Sequence, residues 1–250
     1  MRRSLALILI ALAAQSLLAC SRQVDVPDHD GKALVAAIRA ANAMPGSDRI
    51  VLAHRGLYVL SDAAQAGLLL PAIHGALEID GNGAEIRSYA PGRVALLEVA
   101  ADGDVQLRNI SLAEASNGAI RNFGKLRMQS ARIVDSTGTW VSAIVLNHGQ
   151  LRVEDSEIAY NELQMSGRDA GTVLNYGELQ LDKSRIHDNR VQRVFPSLIA
   201  AGAVLNLGVM RTRATQLENN SVGDLQELAS RRANLVAGVF NLGNGRVEAQ

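Results

Sequence analysis

Residues 171–189 read GTVLNYGELQLDKSRIHDN, and residues 202–220 repeat the pattern as GAVLNLGVMRTRATQLENN. In both stretches an apolar run ends in Asn-x-Gly, which we call the Asn-x-Gly motif. The motif occurs five times, beginning at Asn122, Asn147, Asn175, Asn206 and Asn241. Landmarks that recur along a chain indicate one structural unit that has been copied and stacked.

A second landmark comes 14 residues after the motif, at Ser136, Asn161, Asn189 and Asn220. Between the two landmarks apolar and polar residues alternate, as in Leu179-Gln180-Leu181, so one side of each short strand faces inward. A single unit of this size cannot bury its inward side, whereas stacked copies can. The pattern therefore predicts an all-β fold, a single-stranded parallel β-helix of about eight turns.

The asparagine of each motif is predicted to stand at a corner of the coil. Asparagine tolerates the left-handed backbone region, and the glycine two residues later relieves crowding. Stacked at one corner, the side-chain amides would form a hydrogen-bonded ladder from turn to turn. The alternative is a set of ordinary Asx-turns on the surface, and the constant distance between the motif and the apolar columns favours the ladder.

From the second landmark to the next motif, the distance grows along the chain from 11 to 14, 17 and 21 residues. All variation in length therefore falls in one segment of the unit. In a stacked coil such segments lie on one flank. The pattern predicts loops there at 137–141, 162–169, 190–199 and 221–234, with a short helix at 224–235 in the last.

The first twenty residues have the pattern of an export signal. Arg2 and Arg3 precede an apolar run, and Leu17-Leu18-Ala19-Cys20 resembles the lipobox of bacterial lipoproteins, in which the signal is cut before the Cys and the Cys is acylated. We therefore predict a lipoprotein signal peptide at 1–19, lipidation of Cys20 and a lipidated tether at 20–29. An ordinary secretory signal containing a chance Cys is the alternative. Ser21 in place of Asp favours the outer membrane of a Gram-negative cell envelope.

A helix is predicted where the β-helix domain, residues 30–250, begins. Leu34, Ile38 and Ala41 recur at helical spacing within 32–43, and Asp30 is in position to cap the helix N-terminus. Pro45-Gly46 ends the pattern. From residue 48 the apolar residues alternate instead, so the helix is expected to be a short N-terminal cap on the coil.

Five segments in this region read LVAAIRAAN (34–42), PGSDRI (45–50), GLYVL (56–60), LPAIHG (70–75) and IDGNGA (79–84). In this order they resemble the opening of bacterial surface proteins often called CSLREA-domain proteins. The Asn-x-Gly units resemble the repeats of those proteins and of polymorphic outer-membrane proteins. The family's Cys is absent, and DGKAL (30–34) takes its place. The resemblance implies a right-handed, pectate-lyase-like β-helix and no single activity.

The composition limits the partners that we expect. The chain has 25 basic and 25 acidic residues, with no basic stripe, which argues against nucleic acid as a partner. Its five His residues are scattered and its single Cys is in the lipobox, so no metal-ligand spacing is present and no metal or other cofactor is predicted. The expected partners are the membrane, through the lipid anchor, and an envelope glycan or a surface protein.

Catalytic residues are not assigned. A lyase or hydrolase of this fold needs several acidic side chains on one face, but acidic residues alternate with others in the columns, as in Glu157, Arg185 and Gln216. The best candidate is His187 with Asp188. Because they are neighbours at a strand end, their side chains are expected to point apart.

An aromatic column is also predicted. His148 and Tyr176 align with Phe123 and Leu207, directly after the asparagine of each motif. We interpret this column as side chains stacked at a corner of the coil rather than as a ligand set.

These patterns predict a non-enzymatic cell-envelope lipoprotein that presents a β-helical surface for binding or scaffolding. The alternative is a carbohydrate-active β-helix enzyme of the polyuronate lyase or hydrolase type. At the C-terminus, Gly245 stands where earlier units have Leu or Met, and Arg246 and Glu248 add charge. This predicts a frayed last turn or end-to-end contact with a partner or second copy. A truncated gene model is the alternative.

Overall fold

The computed structural model describes residues 21–90, 92–139, 141–165, 169–193, 199–223, 235–236, 238–241 and 246–249. The predicted signal peptide 1–19, Cys20, Gly245 and most of the predicted helix 224–235 lie outside these ranges. The domain bounds and the lipidation therefore stay predictions.

The described residues contain one helix, α1 (Gly31–Asn42). The strands, in chain order, are β1 (Gln23–Val26), β2 (Ser47–Leu52), β3 (Leu57–Leu60), β4 (Ala76–Ser88), β5 (Leu97–Val99), β6 (Asp104–Ala113), β7 (Ile120–Asn122), β8 (Lys125–Gln129), β9 (Arg132–Val134), β10 (Thr137–Thr139), β11 (Ala143–Asn147), β12 (Gln150–Glu154), β13 (Glu157–Ala159), β14 (Glu162–Met165), β15 (Ala170–Asn175), β16 (Glu178–Asp182), β17 (Arg185–His187), β18 (Arg190–Arg193), β19 (Ala200–Asn206), β20 (Val209–Arg213), β21 (Gln216–Glu218), β22 (Ser221–Val222), β23 (Leu235–Val236), β24 (Val239–Asn241) and β25 (Arg246–Ala249).

Neighbouring strands pair in parallel and stack into four faces of one coil. Face I contains β1, β2, the first halves of β4 and β6, and then β8, β12, β16, β20 and β25. Face II contains β3, the second halves of β4 and β6, and then β9, β13, β17 and β21. Face III contains β10, β14, β18 and β22, and face IV contains β5, β7, β11, β15, β19, β23 and β24. The predicted parallel β-helix is confirmed, with about seven turns rather than about eight.

The core is built from the aligned apolar columns. On face IV, Val145 pairs with Ile120 on one side and with Val173 on the other, and the same register aligns Leu151 with Leu179 on face I. These side chains are buried in one continuous cluster that runs through the coil. Burial of apolar area at roughly 25 cal/mol per Å² is the main term that holds such a stack together.

The corners of the coil differ from the prediction for the asparagines. The left-handed backbone belongs to other residues, such as Asp155 and Lys183 between faces I and II, and Tyr160 and Asp188 between faces II and III. The motif asparagines have negative φ, so assigning them the left-handed region was wrong. The motif glycines serve a different purpose. A Cβ at Gly177 would overlap with the carbonyl oxygen of Gly149, because successive turns approach each other backbone to backbone there.

The predicted cap is confirmed as α1. The Asp30 carboxylate accepts a hydrogen bond from the Ala33 backbone N–H at 2.8 Å, which satisfies one of the free donors of the first turn. Leu34, Ala37, Ile38 and Ala41 are buried against the first turn, so α1 closes the N-terminal end of the core.

The range predicted as a tether, 20–29, contains a strand. β1 pairs in parallel with β2, from Gln23 beside Arg49 to Val26 beside Leu52. Val26 is buried, and its carbonyl accepts a hydrogen bond from the Tyr58 hydroxyl at 2.8 Å. These four residues join the sheet because Val24 and Val26 continue the alternating pattern by which face I buries one side of each strand.

The segments predicted as loops also begin as strands. The first residues of 137–141, 162–169, 190–199 and 221–234 form β10, β14, β18 and β22, which pair in register on face III. The alternation of apolar and polar residues is short in these strands. Because the segment after each strand changes in length from turn to turn, the sequence pattern did not indicate the strands. Gly138, Leu163 and Val191 form an inward column, since each is aligned with the next. The remainder of the longer segments lies mostly outside the described residues.

Candidate functional site

The five motif asparagines form one column at the corner between faces IV and I. The Nδ2 of each donates a hydrogen bond to the Oδ1 of the next, at 2.7 Å for Asn122 to Asn147, 2.6 Å for Asn147 to Asn175, 2.7 Å for Asn175 to Asn206 and 2.9 Å for Asn206 to Asn241. The first four side chains are fully buried. We call this column the asparagine ladder, and its hydrogen bonds join successive turns of the coil at this corner.

A second ladder stands at the start of face III, at the positions of the second landmark. Asn161 donates to Asn189, and Asn189 donates to Asn220, each at 2.9 Å between Nδ2 and Oδ1. Asn161 also donates to the Ile133 carbonyl at 3.0 Å, and its Oδ1 accepts from the Ser136 backbone N–H at 2.9 Å. The spacing in the sequence identified these positions, but it did not predict that their side chains form a ladder.

Phe123, His148 and Tyr176 form a stack of exposed rings beside the asparagine ladder, here called the aromatic ridge. The ring centres lie 5.3 Å apart between Phe123 and His148 and 4.7 Å apart between His148 and Tyr176, and the planes are within 7° of parallel. The predicted aromatic column therefore exists as a stack. Because each ring covers the face of the next, the ridge presents ring edges to solvent.

A polar groove runs along face I beside the aromatic ridge. Its two walls are parallel columns of side chains, each repeated once per turn: Lys125, Gln150 and Glu178 on one wall, and Arg127, Arg152, Gln180 and Arg211 on the other. We call it the axial groove, because its long direction is that of the coil. It offers hydrogen-bond donors at intervals of about 4.8 Å, the spacing of neighbouring strands.

His187 and two carboxylates meet on the outer side of face II. The His187 Nε2 lies 2.8 Å from a Glu157 oxygen, and the Nδ1 lies 2.6 Å from an Asp188 oxygen. The expectation that His187 and Asp188 point apart is wrong, because Asp188 has a φ of 52°, which turns its side chain back. Tyr160 packs against the imidazole edge-on, at 5.5 Å between ring centres.

The arrangement of the two carboxylates favours the charged form of the imidazole. Only 6% of the His187 side chain is exposed, and the ring can donate to both carboxylates at once only when each nitrogen carries a proton. Burial by itself lowers the pKa of His187, but the hydrogen bonds to Asp188 and Glu157 outweigh it and raise the pKa above its ordinary value. Burial raises the pKa of Glu157, but hydrogen bonds from His187 and Arg132 outweigh it and lower the pKa.

Glu157 and Tyr160 are the members of this cluster that the sequence did not indicate. His187 shares its column with Ala159, and Glu157 lies two residues before Ala159 on the same outer side. The contact between Glu157 and His187 therefore joins neighbouring columns on two successive turns. A comparison of residues in neighbouring columns, in addition to residues within one column, would have found it.

Three other acidic residues near the axial groove are held in ion pairs. Arg213 contacts both oxygens of Asp182, at 3.0 and 2.5 Å, which lowers the pKa of that carboxyl. Arg152 pairs with Glu154, and Arg127 lies 3.6 Å from Asp104. The charges of this face are thus largely neutralised in pairs rather than gathered around one point.

Across the described ranges, no three His, Cys, Asp or Glu side chains are grouped so that they could hold a metal ion. Within the same residues, no helix combines the length and the apolar character that crossing a membrane requires. No protein-family model matches the chain, and no curated protein matches its sequence.

Proposed function

We propose that the protein is a non-enzymatic, lipid-anchored protein of the Gram-negative outer membrane that binds its ligand along one face of its β-helix. The observation that carries this proposal is the axial groove with the aromatic ridge beside it. A row of equivalent side chains, repeated once per turn, suits a ligand that is itself extended and repetitive. The finer resemblance to CSLREA-domain and polymorphic outer-membrane proteins is consistent with such a surface role and is part of the proposal.

The chemistry of the groove favours an envelope glycan with many hydroxyl groups as the ligand. Lys125, Arg127 and Arg152 carry several N–H donors each, Gln150 and Gln180 add neutral donors and acceptors, and Glu178 adds an acceptor. The ring edges of the ridge add apolar contact without presenting a ring face. A surface protein is the second class of partner, and the same binding screen includes it.

The His187 cluster supports a non-enzymatic role over the polyuronate lyase or hydrolase alternative. A general acid or base must reach the substrate with a free hydrogen-bonding atom. Both ring nitrogens of His187 face carboxylates of the protein, and the imidazole is almost fully buried. The titratable groups of the His187 cluster are therefore occupied by their hydrogen bonds to one another.

The test is a binding screen of the mature protein against immobilised envelope glycans and envelope proteins. We expect binding to an envelope glycan that is reduced by Arg152→Gln or Tyr176→Ala. Arg185→Gln is the matched control, because Arg185 is similarly exposed, at 50% against 46% for Arg152, but lies on face II.

Two results would contradict the proposal. Equal effects of Arg152→Gln and Arg185→Gln would show that the axial groove is not the binding surface. Turnover of a polyuronate, lost on changing Asp182 or Asp188 to Asn, would favour the enzyme instead.

A further inference from the structure

We propose that the N-terminal end of the β-helix, the end closed by α1, rests directly on the lipid surface, so that the coil projects away from the bilayer. This inference rests on the proposed lipidation of Cys20. It goes further, because a lipid on a flexible tether would leave the orientation of the coil free.

The first step is the length of chain between the lipid and the fold. The Arg22 backbone N–H donates to an Asp48 carboxylate oxygen at 3.1 Å, and the Arg22 carbonyl accepts from the Arg49 N–H at 2.8 Å. Arg22 is therefore fixed to the first turn, and only Ser21 separates it from Cys20. At no more than ~3.6 Å per extended residue, the Cα of Cys20 lies within about 7 Å of that of Arg22.

The second step is where Arg22 lies on the coil. It precedes β1, which is the first strand of face I. Continuing the register of β1 and β2 places Ser21 beside Ser47, just after the end of α1. The acylated residue and the capping helix are therefore at the same end. Since the headgroup layer on each side of the hydrocarbon core is roughly 5–8 Å thick, the lipid brings this end into contact with headgroups.

The third step is the chemistry of the outward side of α1. Lys32, Ala36 and Arg39 are exposed there, and the helix sequence contains no Asp or Glu. Met44 and Val59 add exposed apolar surface, with 53% and 46% of each residue accessible. Basic side chains beside apolar ones are the combination that favours contact with anionic headgroups.

Two of the acidic residues next to this surface, Asp28 and Asp30, are engaged with backbone donors, and the exposed Asp62 accepts a hydrogen bond from the Ser61 hydroxyl at 2.9 Å. The Asp28 carboxylate accepts hydrogen bonds from the backbone N–H groups of Leu57 and His29, at 2.8 and 2.9 Å. Asp30 caps α1. Their charges are thus partly offset by backbone donors, and the exposed charge of the helix itself is that of Lys32 and Arg39.

The experiment measures which end of the coil lies near lipid. Either Met44 or Gln216 is changed to Cys in the full chain, labelled with a fluorescent maleimide, and reconstituted in phosphatidylglycerol-containing vesicles that carry nitroxide-labelled lipid. Face II has six strand-to-strand steps from β3 to β21, so Gln216 lies roughly 29 Å further along the coil than β3. We expect several-fold stronger quenching for Met44→Cys than for Gln216→Cys.

The single native Cys makes the outcomes separable. Labelling of the wild-type chain would show that Cys20 carries no lipid, which overturns the anchor and the orientation together. Vesicle-bound protein with unlabelled Cys20 but equal quenching at the two positions would overturn the orientation and leave the anchor standing. A ten-residue Gly/Ser insertion between Ser21 and Arg22 is the control, and it should reduce the quenching of Met44→Cys while the protein stays on the vesicles.

Discussion

Removing one buried member of the asparagine ladder should destabilise the coil far more than removing its exposed end. Asn175 donates to the Asn206 Oδ1 at 2.7 Å and accepts from the Asn147 Nδ2 at 2.6 Å, and it is fully buried. Asn175→Ala removes both ladder bonds, at about 1 kcal/mol each, and leaves the Asn206 oxygen without its ladder donor at a further cost of about 1–2 kcal/mol. It also removes the longer bonds from the Asn175 Nδ2 to the Gly177 and Val209 carbonyls, at 3.2 and 3.1 Å. The expected loss of unfolding free energy is therefore at least about 3–4 kcal/mol.

The matched control is Asn241→Ala, the same substitution at the last position of the ladder. Asn241 is exposed and accepts one ladder bond, from Asn206 at 2.9 Å, so water can replace it. We expect a loss below about 1 kcal/mol there. Asn175→Asp should cost more than Asn175→Ala at neutral pH, because a carboxylate oxygen would then face the Asn206 oxygen in place of a donor.

Urea unfolding followed by circular dichroism measures these differences, provided that the dependence on urea concentration keeps the same slope. The reasoning is refuted if Asn175→Ala and Asn241→Ala lose similar free energy. It is also refuted if Asn175→Asp is as stable as the wild type at neutral pH.

Three further predictions concern packing, pH and the anchor. Gly177→Ala should lower the free energy of unfolding by more than ~2 kcal/mol, because its Cβ would overlap with the Gly149 carbonyl of the preceding turn. Gly223→Ala should be tolerated, because the nearest atom to its Cβ is 3.5 Å away. Urea unfolding compares the two variants. The stability lost in His187→Gln should be greatest between about pH 4.3 and 6.5, the unfolded-state pKa values of Glu and His. Because the pKa of His187 is raised in the folded state, its contribution to stability is lost as the pH rises through the folded-state pKa. Because the pKa of Glu157 is lowered, its contribution to stability is lost as the pH falls through the folded-state pKa. Thermal unfolding of the wild type and the variant across pH tests this, and a loss of stability that does not change with pH would contradict it. Cys20→Ala should move the protein from the membrane to the soluble fraction, and mass spectrometry of the wild-type N-terminal peptide should show an acylated Cys as its first residue.

The β-helix could be predicted because a stacked coil repeats its contacts at a nearly constant distance in sequence. Residues that are neighbours between turns, such as Val145 and Val173, are also equivalent positions of two sequence units. The pattern of the sequence is therefore the pattern of the packing. The capping helix was predictable for a related reason, since its buried stripe and its Asp30 cap are both local.

Contacts between side chains of different columns were not predictable in the same way. The pairing of Glu157 with His187 joins two different columns, and the turning of Asp188 toward His187 depends on the sign of one backbone angle. Face III was missed for a third reason. Its strands have two to four residues, and the segments after them change in length from turn to turn.

The sequence by itself determined the repeating unit, the inward columns and the alignment of the five motif asparagines, because these depend on spacing and on which side chains avoid water. The tertiary structure decided how polar groups are used: which corner residues adopt the left-handed backbone, that His187 is enclosed by two carboxylates, and that β1 joins the sheet within three residues of Cys20. Those outcomes depend on distances of a few ångströms between segments about 25 to 30 residues apart, where hydrogen bonds select one partner among several in reach.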